Sequence, residues 1–199
     1  MRGILAAVIL LCGNFPTLAA NDIVRSDVGF FVQTSGGKPA MCGTEFTIVF
    51  KDDLNQKGNL SVVTGSITTM GLQDKLGSFL KISGGDQTKP GELRPYRPFS
   101  VSLSSPTAGN INRYSETNCE GPFAYCATYD FNSTALIWAA TQSADDLRIR
   151  FNRAEGYLDI ELPILTKKGM IDHPADFTEF MKCENALLSE ARRALSTKQ

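Results

Sequence analysis

The segment LRIRFNRAEGYLDIEL, from Leu147 to Leu162, decides the fold class of this chain. Apolar and charged residues alternate over Leu147–Phe151 and again over Leu158–Leu162, which is the period of a β-strand that buries one face. Residues 152–157 lie between the two runs and contain Glu-Gly, a turn signal. The segment therefore predicts an antiparallel β-hairpin.

The two faces of this hairpin predict its register. When Phe151 is placed opposite Leu158, the other apolar residues also face one another, and each arginine faces a carboxylate. Exposed charge pairs contribute only about 0.2–1 kcal/mol each, so their main effect would be to define the register. An alternative is that Arg148, Arg150 and Arg153 form an anion-binding face. The predicted pairs are Phe151 with Leu158, Ile149 with Ile160, Leu147 with Leu162, Arg150 with Asp159, and Arg148 with Glu161.

Short segments with the composition of β-strands occupy most of the remaining chain. They are rich in β-branched and aromatic residues, and turn-forming clusters such as Gly36-Gly37, Gly84-Gly85-Asp86 and 106–110 separate them. Strands do not alternate with helices, so a parallel α/β sheet is not expected. The pattern predicts a mainly β protein, an antiparallel β-sandwich or barrel-like domain. The predicted strands are Asp27–Thr34, Glu45–Phe50, Leu60–Met70, Ser78–Ile82, Phe99–Leu103, Phe123–Tyr129 and Thr134–Thr141.

One helix is predicted at the C-terminal end, at about residues 174–195. Pro174 suits the first turn of a helix, and the apolar residues that follow Phe177 recur every three to four positions. We expect residues 21–199 to form a single β-rich domain that this helix closes.

The first 20 residues have the layout of a secretory signal peptide. Arg2 precedes an apolar run from Ile4 to Leu11, and Thr17–Ala20 offers small residues for cleavage. The run is shorter than the roughly 20 residues that span a bilayer, so cleavage after residue 19 or 20 is favoured over a membrane anchor. We therefore expect a periplasmic or secreted protein without a transmembrane segment after cleavage.

The charge of the chain is nearly balanced. It contains 20 lysines and arginines and 21 acidic residues, a formal net charge of −1 at pH 7. Loss of Arg2, the one charged residue of the leader, would change this to −2. This balance gives no reason to expect nucleic-acid binding.

The cysteines indicate two disulfides. Of the five cysteines, Cys12 would leave with the leader, and an even number in an exported chain is typical of disulfide bonding. Four cysteines allow three pairings. We favour Cys119–Cys126 together with Cys42–Cys183. The segment between Cys119 and Cys126 contains Gly-Pro, a turn signal that can bring these two cysteines together.

No pattern typical of an active site is apparent. His173, the only histidine, could act as a general base oriented by Asp172, but a helix-start residue beside a capping aspartate is the favoured interpretation. Asp52-Asp53 and Asp145-Asp146 are interpreted as turn acids. No nucleophile-elbow, metalloprotease, P-loop or dinucleotide-binding motif occurs. We therefore expect a non-enzymatic protein without cofactor or metal, with a periplasmic hydrolase that uses His173 as the alternative.

Residues 90–99, PGELRPYRPF, have the composition of a recognition loop. Prolines hold such a segment extended, and arginine and tyrosine recognise anions, sugars or protein surfaces. A proline-braced connection between strands is the alternative structural interpretation. The predicted ligand-binding or partner-binding residues are Arg94, Tyr96 and Arg97. A secreted enzyme inhibitor that presents Arg94–Phe99 is the corresponding functional alternative.

The C-terminal part of the chain carries a family resemblance. A closely spaced cysteine pair is followed by an apolar segment, a charged strand, a Leu-Pro-Ile segment and an aromatic residue that leads into a terminal helix. This succession resembles the invasion-associated locus B family of exported alphaproteobacterial proteins. The resemblance implies a β-sandwich-like periplasmic or surface protein with a role in host association, and it implies no catalytic residues; the N-terminal half departs from the family. The residues that carry it are Cys119, Cys126 with Ala127, Leu136-Ile137-Trp138, Leu147–Phe151, Leu162-Pro163-Ile164 and Phe177.

These observations together predict an exported, non-enzymatic binding or structural protein of the bacterial periplasm or cell surface. Its expected partner is a protein or another component of the cell envelope.

Overall fold

The fold consists of two antiparallel β-sheets and three helices within the described residues. The computed structural model describes residues 22–52, 60–72, 75–112, 114–143, 146–153 and 159–196, so the predicted signal peptide lies outside them. The strands are β1 (Ile23–Ser35), β2 (Lys38–Lys51), β3 (Leu60–Leu72), β4 (Lys75–Lys89), β5 (Glu92–Tyr96), β6 (Phe99–Ser105), β7 (Gly109–Ile111), β8 (Tyr114–Thr117), β9 (Ala124–Tyr129), β10 (Leu147–Asn152) and β11 (Ile160–Leu165), and the helices are α1 (Phe131–Gln142), α2 (Lys167–Asp172) and α3 (Pro174–Ser196).

The strands are divided unequally between the sheets. The larger sheet has the order β1-β2-β3-β4-β9-β8, and β5 continues along the same edge of β4 beyond the end of β9. The smaller sheet has the order β11-β10-β6-β7. Neither sheet closes into a barrel, so the predicted mainly β, sandwich-like fold class is confirmed.

The core lies between the facing surfaces of the two sheets. Alternate residues of β2, such as Ile48 and Phe50, are fully buried, and so are Leu103, Ile149 and Leu162 of the smaller sheet. Burial of each such side chain contributes about 1.5–3 kcal/mol before the loss of conformational entropy. We call the surface of the larger sheet that faces this core its inner face.

Helix α3 covers the part of the inner face that the smaller sheet leaves free. Its residues Phe180, Leu187 and Leu188 form a second apolar cluster with Leu76 of β4. The Cys42–Cys183 disulfide lies in this cluster and joins β2 to α3. Cys119 and Cys126 form the second disulfide, so both pairs are the ones favoured from sequence. The helix predicted at about 174–195 is also confirmed.

The predicted strand Thr134–Thr141 is wrong, because these residues belong to α1. A short apolar run with β-branched residues fits either a strand or a buried helix segment. The preceding residue Asp130 decides between them, since its carboxylate accepts a hydrogen bond from Ser133 N at 2.8 Å and caps the helix. The apolar segment Leu136-Ile137-Trp138 of the family resemblance is therefore helical in this chain.

The prediction of a turn at Gly84-Gly85-Asp86 is also wrong. These residues continue β4 and pair with Ser61–Val63 of β3. Gly84 lies directly opposite Tyr96 of β5, and the tyrosine ring occupies the space that a side chain at position 84 would need. The absence of a side chain at position 84 thus allows the Tyr96 ring to pack closely against the strand. By contrast, the turn at Gly36-Gly37 is confirmed, with both residues at positive φ.

The hairpin is present, but the predicted register is wrong by two residues. Phe151 pairs with Ile160, Ile149 with Leu162, and Arg150 with Glu161. A shift of two residues keeps every side chain on its face, so the alternating pattern alone could not detect it. Leu158 and the predicted Glu155-Gly156 turn lie outside the described residues. Arg153, which directly follows β10, turns inward to meet the buried carboxylates of Asp52 and Asp86.

Candidate functional site

We call the opposite surface of the larger sheet its outer face. The smaller sheet and the helices pack through residues of the inner face. Across the centre of the outer face runs a groove of about 390 Å³ on strands β2, β3 and β4. It is lined by Glu45, Phe46, Thr47, Thr64, Gly65, Ser66, Lys81 and Ser83.

Strand register places the polar residues of this groove in two rows. Glu45, Ser66 and Lys81 are direct cross-strand neighbours and form the first row. Thr47, Thr64 and Ser83 form the second row. Adjacent strands lie about 4.8 Å apart, so the backbones at Glu45 and Lys81 are about 10 Å apart. The two charges therefore stand on either side of the Ser66 hydroxyl.

The polar side chains of the groove are not used by the fold. Within the described ranges, none of the four hydroxyls makes a side-chain hydrogen bond, and neither Glu45 nor Lys81 forms an ion pair. Glu45, Thr64 and Lys81 are exposed. The groove thus presents donors and acceptors to solvent, together with one positive and one negative charge that cancel.

Gly65 allows β3 to form the floor of the groove. A Cβ atom at this position would lie 2.6 Å from Phe46 Cζ and 2.5 Å from the carbonyl oxygen of Lys81. Phe46 is the direct cross-strand neighbour of Gly65, and its ring packs on the glycine from the inner side. The absence of a side chain therefore lets a core ring support the groove from below.

The residues predicted to bind a ligand lie elsewhere and make contacts within the fold. Arg94 Nη2 is 2.9 Å from Asp86 Oδ2. Arg97 Nε donates to the carbonyl oxygen of Ala124 at 3.1 Å, and its guanidinium also pairs with Glu116. The segment contains β5 and its connection to β6, which agrees with the interpretation as a proline-braced connection. Ligand binding by Arg94, Tyr96 and Arg97 stays a prediction.

Tyr96 belongs to the periphery of a buried ionic cluster. The guanidinium of Arg153 lies 4.8 Å from the centre of the tyrosine ring, in the range of a cation–π contact. Burial is the main cause of a raised pKa at Tyr96, and the nearby Arg153 opposes it. The phenol therefore stays neutral over the physiological pH range.

The ionic cluster itself joins the two sheets. Arg153 Nη1 lies 2.8 Å from Asp52 Oδ2, and Nη2 pairs with Asp86 Oδ1. The hydroxyl of Ser61 lies 3.1 Å from a carboxylate oxygen of each aspartate. Asp52 and Asp86 are only 4% and 1% exposed, so Asp52, which was interpreted as a turn acid, is buried and ion-paired directly after β2. Asp53 and Asp145 lie outside the described residues.

The proposed anion-binding face of Arg148, Arg150 and Arg153 is not formed. Arg153 points to the interior, whereas Arg148 and Arg150 both bind Glu161, at 3.1 and 2.7 Å. The hydrogen bond from Arg150 is the largest cause of a lowered pKa at Glu161, and Arg148 adds to it. The arginines are thus neutralised by carboxylates of the same chain.

His173 lies on the surface where α2 ends and α3 begins. Its carbonyl oxygen accepts a hydrogen bond from Phe177 N at 2.9 Å, which agrees with the helix-start interpretation. The carboxylate of its neighbour Asp172 pairs with Lys168. The hydrolase alternative stays a prediction, and a His173→Ala variant tests it.

Sequence reasoning missed the groove although one signal was present. Thr64, Ser66 and Thr68 alternate with Val63 and Ile67 along β3, which marks a strand with a hydroxyl-rich outer side. The position of Glu45 and Lys81 beside these hydroxyls depends on strand pairing, which the sequence does not display.

The fold and this groove define a disulfide-linked, two-sheet antiparallel β protein with an exposed polar groove on its larger sheet. No family model, curated protein or solved structure matches the chain. In the described part of the chain, no helix combines the length and apolarity required to cross a membrane.

Proposed function

We propose that this chain is an exported, non-enzymatic binding protein of the bacterial periplasm or cell surface, and that it binds an envelope component or a protein through the groove on the outer face. The observation that carries the proposal is the set of six polar side chains that line the groove without partners among the described residues. Polar groups that a fold leaves together in a concave surface are available to orient a ligand.

The cellular location is supported by the disulfides and by the leader. Two disulfides fit a protein outside the reducing cytoplasm, and the first 20 residues have the layout of a signal peptide. The resemblance to the invasion-associated locus B family extends the proposal to a role in host association.

A binding experiment with a bacterial envelope extract tests the proposed function. The variant Glu45→Gln/Lys81→Gln removes both charges of the groove with little change in size. Glu179→Gln/Lys182→Gln is a matched control, because it removes an exposed ion pair of 2.7 Å on α3, away from the outer face. We expect the groove variant, but not the control, to lose the component that the unaltered protein retains, which mass spectrometry would identify. Retention of that component by the groove variant contradicts the proposal.

The inhibitor alternative has one observation in its favour. Leu93, Arg94 and Phe99 are 53%, 65% and 41% exposed, so the segment presents two large apolar side chains beside a cation. Arg94→Ala is the informative variant, because Arg97 anchors the segment to β9 and its removal would disturb the fold. Loss of binding in Arg94→Ala, with binding intact in the groove variant, would favour the inhibitor.

A further inference from the structure

We propose that the groove takes a neutral, polyhydroxylated chain, that is, an oligosaccharide, which lies across strands β2, β3 and β4. This inference rests on the proposed function and names its ligand class. Three properties of the groove lead to it: the state of its backbone, the balance of its charges, and the spacing of its hydroxyls.

The backbone of the groove argues against an extended peptide. Strands β2, β3 and β4 each pair with a neighbour on both sides. Their amide and carbonyl groups along the groove are therefore engaged in the sheet. A peptide that binds by strand addition needs a free sheet edge, and the groove has none. Recognition must come from side chains.

The side chains of the groove suit a ligand that both donates and accepts. Thr47, Thr64, Ser66 and Ser83 supply hydroxyls, and each hydroxyl can donate one hydrogen bond and accept others. Sugar hydroxyls have the same capacity. Glu45 adds a pure acceptor and Lys81 a pure donor, and their charges cancel. The groove therefore provides no net attraction for an anion or a cation.

The spacing of the side chains favours an elongated ligand across the strands. The two rows lie about 7 Å apart along the strands, since outward side chains recur every second residue. Each row extends about 10 Å from β2 to β4. Beside the row of Glu45, Ser66 and Lys81, a further row on the outer face carries Phe31 and Phe79, which are both half-buried. Their rings supply an apolar border against which the C–H faces of a sugar can pack.

Titration of the isotope-labelled protein with neutral oligosaccharides tests this inference by amide NMR shifts. The probes are cellohexaose, chitohexaose and maltohexaose, with a sulfated heparin hexasaccharide as the charged comparison. We expect saturable shifts at Thr64 and Ser66 with at least one neutral probe. Thr64→Val/Ser66→Ala should weaken that binding about tenfold, because two hydrogen-bonding hydroxyls are lost.

A matched control uses the same substitutions on another strand of the same sheet. Ser115→Ala/Thr117→Val changes two residues of β8 with identical spacing, outside the groove, and should leave binding unchanged. Binding of the heparin probe alone, or of no neutral probe, overturns the ligand class. If the envelope component is still lost in Glu45→Gln/Lys81→Gln, the proposed function stands with another ligand. If groove substitutions affect neither the binding of the envelope component nor the binding of the oligosaccharides, both proposals fail.

Discussion

Glu184 of α3 is a carboxyl that the fold keeps away from water, with 4% of its surface exposed. It faces the inner side of the larger sheet, where Thr69 hydrogen bonds to it, and its Oε2 atom is buried without a partner among the described residues. Burial raises its pKa to about 7, and the Thr69 hydrogen bond opposes this rise. Neither of these two causes is a charged group. The residue is therefore a source of pH-dependent stability.

We expect Glu184→Gln to stabilise the protein near neutral pH. Below pH 4.5, the ordinary value of the carboxyl, folded and unfolded chains are both protonated and the residue adds no pH dependence. Between that value and about 7 only the unfolded chain releases the proton, so stability falls as pH rises. Over this pH range the free energy of unfolding falls by about 3 kcal/mol in total. Urea unfolding should show that Glu184→Gln is more stable than the unaltered protein at pH 8 but not at pH 4. Glu190→Gln serves as control, because Glu190 is exposed. An equal pH dependence in Glu184→Gln and the unaltered protein would contradict this account.

Gly65 gives a second prediction at the scale of a residue. Gly65→Ala should lower the free energy of unfolding by about 1–3 kcal/mol, because the added Cβ overlaps the Phe46 ring and a strand carbonyl. Gly85→Ala is the matched control, since it is also in a paired strand and its nearest neighbour would be 3.6 Å from the new Cβ. We expect that variant to change stability by less than about 0.5 kcal/mol. Equal effects of the two substitutions in thermal unfolding would exclude the steric explanation.

At the scale of elements, the hairpin of β10 and β11 shows how a charge cluster and an apolar face act together. Ile149 is fully buried, whereas Arg150 is partly exposed and shares Glu161 with Arg148. The apolar face supplies the stability and the charges refine the register. Because the observed partner of Arg150 is Glu161 rather than Asp159, the two registers can be distinguished by mutation.

A double-mutant cycle measures this partnership. Arg150→Ala should cost under about 1 kcal/mol, the usual limit for an exposed pair, and Ile149→Ala about 2–5 kcal/mol, because it leaves a cavity. Alanine substitutions at Arg150 and Glu161 should couple, whereas those at Arg150 and Asp159 should add independently. Coupling to Asp159 instead would restore the register predicted from sequence. The lowered pKa of Glu161 also means that this contribution is present at neutral pH and is lost as pH falls through that pKa.

At the scale of the whole molecule, the Arg153 cluster connects the sheets of the sandwich. Arg153 follows β10 of the smaller sheet, and its partners Asp52 and Asp86 lie at the end of β2 and in β4 of the larger one. Its side chain is 11% exposed. Two buried carboxylates and one guanidinium would leave a net negative charge, and Arg94 at the surface completes the balance by pairing with Asp86.

We expect Arg153→Met to lower the free energy of unfolding by about 3–5 kcal/mol, because it removes the buried cation that Asp52 and Asp86 share. Arg94→Ala should cost less than about 1 kcal/mol, since that side chain is mostly exposed to solvent. Addition of Asp52→Asn and Asp86→Asn to Arg153→Met should recover part of the loss. Denaturant unfolding of the four proteins checks this, and an Arg153→Met variant as stable as Arg94→Ala would contradict a connecting role.

The sequence alone determined those features of this protein that depend on local composition and period. The alternation in Leu147–Phe151 predicted a half-buried strand, the apolar spacing after Phe177 predicted the terminal helix, and the Gly-Pro turn favoured the short Cys119–Cys126 disulfide. These signals need no knowledge of neighbours, because strand and helix periods are properties of a single segment.

Only the tertiary structure decided which segments become neighbours. A register shifted by two residues has the same alternation, so the partner of Arg150 could not be read from the chain. In the sequence, Asp52 and Asp86 resemble turn residues. In the structure they are buried and pair with Arg153, which is distant in the sequence. The groove likewise needs Glu45, Ser66 and Lys81 from three strands in one row. Each of these features is a contact between distant segments, and its free energy exists only once the sheets have formed.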